Sequence, residues 1–244
     1  MVPLARSKAR PSRASLPTQQ IFQRDWQIYR KMIDNNYLFH REAYACLHHV
    51  LASEIDRPFS FLDIACGDAG PSIAALQGTT VSHYEGIDLS RAALDMADQR
   101  LPALGRPYVL NEGDFAELLP ARRDALDVVW IGLSLHHFQA PEKLRLMRAV
   151  RLLLGEGGRF LIYENSSPEG EDRDGWLRRL EAQRPFWTAY DDAEWEVVWG
   201  HISRADYPET PSTWARLGHD AGFEQTRELF VAPSDLIRLY SFEG

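Results

Sequence analysis

The residues Leu62-Asp63-Ile64-Ala65-Cys66-Gly67-Asp68-Ala69-Gly70-Pro71 concentrate the chemistry of this chain. An apolar run that closes on small residues and a proline reads as strand, tight turn and helix start. Small side chains let a ligand approach the backbone, whose free N–H groups and helix dipole favour an anionic group. The run fits G-x-G-x-x-G with Ala65 in the first place, Gly67 in the second and Gly70 in the third. A tight strand–helix turn without a ligand would use the same residue types.

Two acidic positions extend the pattern. Asp88, in Tyr84-Glu85-Gly86-Ile87-Asp88-Leu89-Ser90, follows the glycines by about 20 residues, the spacing at which a carboxylate accepts both hydroxyls of an adenosine ribose. It is also a candidate helix cap beside Ser90. In Asn111-Glu112-Gly113-Asp114-Phe115, Asp114 suits an adenine amino group and the Phe115 N–H a ring nitrogen. Gly113-Asp114 by itself reads as a turn. Further along, Ser134, His136 and His137 cluster, and histidine is the natural base near neutral pH. The alternative is that one histidine ties loops together.

The elements that position these residues follow from the apolar pattern. Phe61–Ala65, Tyr84–Ile87, Pro107–Leu110, Leu126–Leu133 and Arg159–Tyr163 read as strands. Helices fall between them, one capped by Ser90, another started by Pro141 and ended by Gly155. Strands alternating with helices specify a doubly wound, mostly parallel sheet. A helix from Pro211 to Ala221, stopped by Gly222, leads to two final strands, Phe223–Phe230 and Leu236–Phe242, whose short link suits an antiparallel hairpin. The expected fold is therefore α/β with a seven-stranded sheet, the last strand antiparallel, plus N-terminal helices and a helical lid insertion.

Five segments result: 1–18 as a basic, disordered tail; 19–57 as N-terminal helices covering the site, broken at Asp34-Asn35-Asn36; 58–164 as the core; 165–210 as the lid; and 211–244 as the closing helix and hairpin. The lid holds Trp176, Phe186, Trp187, Tyr190, Trp195, Trp199 and Tyr207, and Asp191 with Glu194 spells a capping box. Its aromatics suit either a cage for an apolar or cationic ligand or, more often for such a stripe, core.

Composition narrows the partners. A total of 27 Lys and Arg against 35 Asp and Glu gives a net charge of −8, which repels a nucleic-acid backbone. No apolar run approaches the ~20 residues of a membrane span. Cys46 and Cys66 form neither a disulfide framework nor a metal cluster, so a reducing cytoplasm is the simplest setting. A small-molecule partner and a monomer or homodimer are expected.

Taken together, LDIACGDAG, GIDLS, EGDF, VVWIGLSLHHF and LLLGEGGRFLIYE resemble, in order and spacing, the motifs of the class I S-adenosylmethionine-dependent methyltransferases over roughly residues 59–164. The resemblance implies methyl transfer from S-adenosyl-L-methionine, with S-adenosyl-L-homocysteine as product, to a small molecule. Asp63, Ala65, Gly67 and the turn to Gly70 would hold the methionine end. Asp88 and Leu89 would take the ribose side, Asp114 and Phe115 the adenine, and backbone at Ile131-Gly132-Leu133 the methionine amino group. His136 and His137 would face the acceptor. Tyr29 and Tyr37, with His40 and Arg41, would close over the donor, Arg41 toward its carboxylate, unless these helices only pack a sheet edge. The sequence departs from the family at Ala65 and Ala69, where many members carry glycine. No Asn-Pro-Pro-Tyr or Asp-Pro-Pro-Tyr tetrad follows the fourth strand, which disfavours adenine or glutamine N-methylation.

A nicotinamide dehydrogenase is the rival for the fold, but a charge at Asp63 suits an ammonium and a sulfonium and opposes a pyrophosphate. Two other readings stay open: a tRNA-modifying enzyme using S-adenosylmethionine or a derivative of it, and a catalytically silent binding module.

Overall fold

Apolar runs over-rich in branched residues become strands here because helices cover both of their faces. A computed structural model describes residue 28 and residues 30–244. The tail at 1–18, residues 19–27 of the N-terminal helix segment and Tyr29 lie outside the described residues. Residues 30–34 are helical, and a turn over 35–38 separates them from α1 (His40–Ser53), so the break falls where asparagines compete for the backbone.

The elements that follow are β1 (Phe59–Ile64), α2 (Gly70–Leu76), β2 (Val81–Asp88), α3 (Arg91–Arg100), β3 (Tyr108–Glu112), α4 (Phe115–Ala121), β4 (Leu126–Gly132), α5 (Ala140–Leu153) and β5 (Leu154–Asn165). The chain continues through α6 (Arg173–Glu181), α7 (Asp192–Ala205), α8 (Pro211–Ala221), β6 (Gln225–Val231) and β7 (Ile237–Glu243). The sheet order is β3-β2-β1-β4-β5-β7-β6; β7 is antiparallel to β5 and β6, and the other six strands run one way.

Alternation along the strands sorts side chains into two cores. Phe61, Val128, Trp130, Leu161 and Tyr163 face α1, α2 and the lid. Leu62, Ile64, Val129, Ile131, Phe160 and Ile162 face α4, α5 and α8. Asp63, two places beyond Phe61, therefore points to the face that α1 and α2 cover, and it is 2% exposed.

Caps form where the residue types demand them. Ser90 accepts from the Ala93 N–H, and Asp191 from Glu194, whose carboxylate returns a bond to the Asp191 N–H. Gly222 ends α8 at φ 100°. Gly155 does not stop α5 in that way. The helix passes into β5 at Leu154, already extended, and Gly157 takes the positive φ.

Four of the seven lid aromatics are core, whereas Phe186 is 71% exposed. Trp176, Trp187, Tyr190 and Trp195 are at most 7% exposed. Tyr37 stacks on Trp187, and Trp195 meets the same indole edge-on. The segment before α1 fastens to this lid, because Lys31 pairs with Glu194 at 2.5 Å and the Tyr190 hydroxyl donates to the Ile28 carbonyl.

Candidate functional site

Adjacent parallel strands end together, so the residues closing β1, β2 and β3 share one edge of the sheet. The turn after β1 is built from left-handed backbone: Ala65, Gly67 and Ala69 have φ of 56°, 55° and 57°. Alanine tolerates this conformation at a cost of about 1 kcal/mol per residue, which glycine avoids. The two departures from glycine thus keep the glycine path. A Cβ built on Gly67 would meet no protein atom within 4 Å, so the space above it is open to a ligand.

Asp88 holds this turn in place. Its Oδ2 accepts the Gly67 N–H at 2.8 Å and its Oδ1 the Ser90 N–H at 2.8 Å. Burial pushes its carboxyl above the usual range, against the pull of these backbone bonds. Asp63 lies beneath the turn, where its Oδ2 accepts from the Tyr84 hydroxyl at 2.8 Å. Burial raises its carboxyl to about 7, with the Asp88 charge adding and the hydrogen bonds from Ser72 and Tyr84 opposing.

Asp114 caps α4, its Oδ1 accepting the Ala116 N–H at 2.8 Å, and Phe115 is buried against Phe138. Leu89, 38% exposed, is an uncovered apolar side chain next to Asp88. Gly70 opens α2, its N–H bonded to Asp68, which also pairs with Arg100 at 2.7 Å. Ile131 is buried in β4 beside Ile64, and Leu133, at φ 52°, donates its N–H to the Tyr163 carbonyl.

Arg41 lies on the first turn of α1. It is exposed, and its guanidinium donates to the Asp34 carbonyl at 2.9 Å. Its neighbour His40 is buried against Tyr163 with both ring nitrogens unpaired, and burial lowers it to about 4. Tyr29 lies outside the described residues.

A second polar group sits one and two strands over, at the ends of β4 and β5. Glu164 is fully buried; its Oε1 accepts the N–H groups of Ser134 and Leu135 and its Oε2 that of His136, with the His136 Nδ1 at 2.7 Å. Asp206, at the end of α7, stands 3.7 Å from His136 Nε2 and 3.3 Å from His137 Nδ1. His137 is the exposed member, and His201 meets its ring edge-on.

Tyr84, Glu164, Asp206 and His201 were not among the residues singled out by sequence. Glu164 carried a usable signal, a charge closing an apolar strand, as Asp63 does in β1. Asp206 carried none, because the lid brings it to its partners through space.

Comparison with known proteins bears on the family and the fold. Residues 61–158 match the family model described as a methyltransferase domain. The chain is similar to a demethylmenaquinone methyltransferase from Alkalihalophilus pseudofirmus, 30% identical over 174 residues, covering 67% of this chain and 70% of that protein. It is also similar to the protein YafE of Escherichia coli, 32% identical over 114 residues, but there the chain spans only about half of its relative: 47% of this chain and 53% of YafE are covered. The fold matches magnesium protoporphyrin IX methyltransferase from Synechocystis, solved with bound S-adenosylhomocysteine, at a TM-score of 0.63 and 14% identity over 93% of this chain and 98% of that one. With six parallel strands, an antiparallel seventh and a 30%-identical methyltransferase covered over 70% of its length, this chain belongs to the class I S-adenosylmethionine-dependent methyltransferase family.

Proposed function

We propose that this chain transfers the methyl group of S-adenosylmethionine to a small-molecule acceptor admitted between residues 134–137 and the lid. The observation that carries this is the junction of β1 and β2: a left-handed turn with open space over Gly67, tied by its N–H to Asp88, with Asp63 beneath it. The cofactor of the family supplies an activated methyl on a sulfonium, which passes in line to a nucleophile as the carbon–sulfur pair returns to sulfur.

The chain's own residues then bind and align. Asp63, with Ala65, Gly67 and Gly70 on the turn, holds the methionine end together with backbone at Ile131. Asp88 accepts from the ribose hydroxyls through the lone pairs its backbone donors leave free. Leu89 covers the nucleoside, while Asp114 and the Phe115 N–H read the adenine edge. Of the two histidines, His137 meets the acceptor because it is exposed, whereas His136 is engaged by Glu164 and Asp206. A small-molecule acceptor is supported by the relatives, whose names specify demethylmenaquinone and magnesium protoporphyrin IX. Calorimetric titration with S-adenosylhomocysteine, followed by turnover of labelled donor against a panel of quinols, phenols and carboxylic acids, tests the reading. Absence of saturable binding at millimolar ligand would overturn it.

A further inference from the structure

The lid delivers one carboxylate to the two histidines that follow β4. Asp206 is 3% exposed, and Asn165 Nδ2 donates to its Oδ2 at 2.8 Å. Its other oxygen, Oδ1, is buried and faces the His137 Nδ1 at 3.3 Å.

Glu164 settles the state of the neighbouring ring. It already accepts from three backbone N–H groups, so its 2.7 Å contact with His136 Nδ1 places the imidazole proton on Nδ1. The Nε2 faces Asp206 at 3.7 Å, and a bound cation would take the place of any proton there. A carboxylate that fixes the far nitrogen of a histidine is the usual support behind a metal-bound imidazole. The donor atoms of His136, His137 and Asp206 all lie within 4.8 Å of one another. Metal bonds of roughly 2.0–2.2 Å set neighbouring donors roughly 3–3.6 Å apart, near the 3.3 Å from His137 Nδ1 to Asp206 Oδ1 and the 3.7 Å from His136 Nε2 to Asp206 Oδ2.

We propose that His136 Nε2, His137 Nδ1 and the Asp206 carboxylate bind a divalent transition-metal cation. Two imidazoles with one carboxylate favour zinc, iron, cobalt or nickel over magnesium or calcium. Three protein ligands leave a coordination position open, and the exposed flank of His137 is where it opens. Its use rests on the function proposed above. An acceptor hydroxyl coordinated there gives its proton to water more readily. Its oxygen then forms the bond to the methyl carbon as the carbon–sulfur pair leaves to sulfur. In this arrangement His137 is a ligand and not the base.

The test needs neither donor nor acceptor. Tag-free, chelator-stripped full-length protein is titrated with Zn²⁺ by calorimetry and with Co²⁺ by visible absorption. A saturable site, with cobalt bands that Zn²⁺ displaces, is expected. His137→Ala, which removes an exposed side chain, and Asp206→Asn each weaken binding about tenfold or more, with circular dichroism matching wild type. Absence of saturable uptake at millimolar metal, or His137→Ala binding as tightly as wild type, would overturn the site. Metal binding without S-adenosylhomocysteine binding leaves the site standing and removes the donor reading; the converse removes only the site.

Discussion

The Tyr84 hydroxyl donates to Asp63 Oδ2 at 2.8 Å, joining β2 to the end of β1 beneath the glycine turn. This bond and that from Ser72 only partly offset burial, so the Asp63 carboxyl sits near 7, well above its ordinary 3.8. A raised folded value means that the folded protein holds a proton the unfolded chain has released, and that this contribution disappears as pH rises through about 7. Asp63→Asn removes the titration. The stability of the variant relative to wild type should improve by roughly 2–3 kcal/mol between pH 5 and pH 8, by denaturant unfolding. Stability curves that run parallel across that range would count against a buried acid at this position.

The same variant should bind S-adenosylmethionine worse. A cation placed above Asp63 pulls its proton off, so wild-type affinity for the donor rises with pH up to about 7 and then levels. Asp63→Asn should lose at least about tenfold in affinity, or ~1.4 kcal/mol, and lose that pH dependence. Calorimetry in two buffers of different ionisation enthalpy would show proton release on binding to wild type and none in the variant.

Gly67→Ala separates ligand space from fold. The backbone there is left-handed at φ 55°, so alanine costs about 1 kcal/mol in stability, as Ala65 and Ala69 on either side already show to be tolerable. The added methyl meets no protein atom, only whatever occupies the open space. A loss of S-adenosylhomocysteine affinity of about 100-fold with a small fall in melting temperature is expected. Equal binding by variant and wild type would move the donor elsewhere.

How much of this was legible in the sequence depends on whether the deciding partner is near in the chain. The strands were readable because a doubly covered sheet demands unbroken apolar runs, and Asp63 was conspicuous as a charge inside one. Ser90, the Asp191–Glu194 box and Gly222 were readable because caps are local. Gly155 misled because a glycine after a helix usually marks its stop, yet Leu154 turns directly into β5 and the left-handed step falls at Gly157. The lid aromatics fitted both cage and core, and burial decided for core at Trp176, Trp187, Tyr190 and Trp195, with Trp187 stacked on Tyr37. Glu164 was overlooked despite closing an apolar strand just as Asp63 does, and Asp206 was unreadable because its partners are assembled by tertiary structure alone.

The lid's own anchor gives the last prediction. Lys143 on α5 is fully buried, donates to the Tyr207 carbonyl at 2.5 Å and to Glu209 Oε1 at 2.7 Å, and lies over the Trp214 ring. Burial lowers its pKa against the pull of Glu209. Lys143→Met keeps the packing volume but strands both acceptors, one of them charged. A loss of roughly 2–4 kcal/mol is expected by denaturant unfolding. Adding Glu209→Gln should restore part of that loss, because the uncompensated charge goes while the carbonyl stays unpaired. The segment that Lys143 holds follows directly on Asp206, and the Tyr207 N–H also donates to the His136 carbonyl at 2.7 Å. The single variant should therefore also loosen the contact between Asp206 and the two histidines, read as broadened imidazole resonances of His136 and His137 by NMR. Unchanged resonances in a destabilised variant would separate the anchor from the site it adjoins.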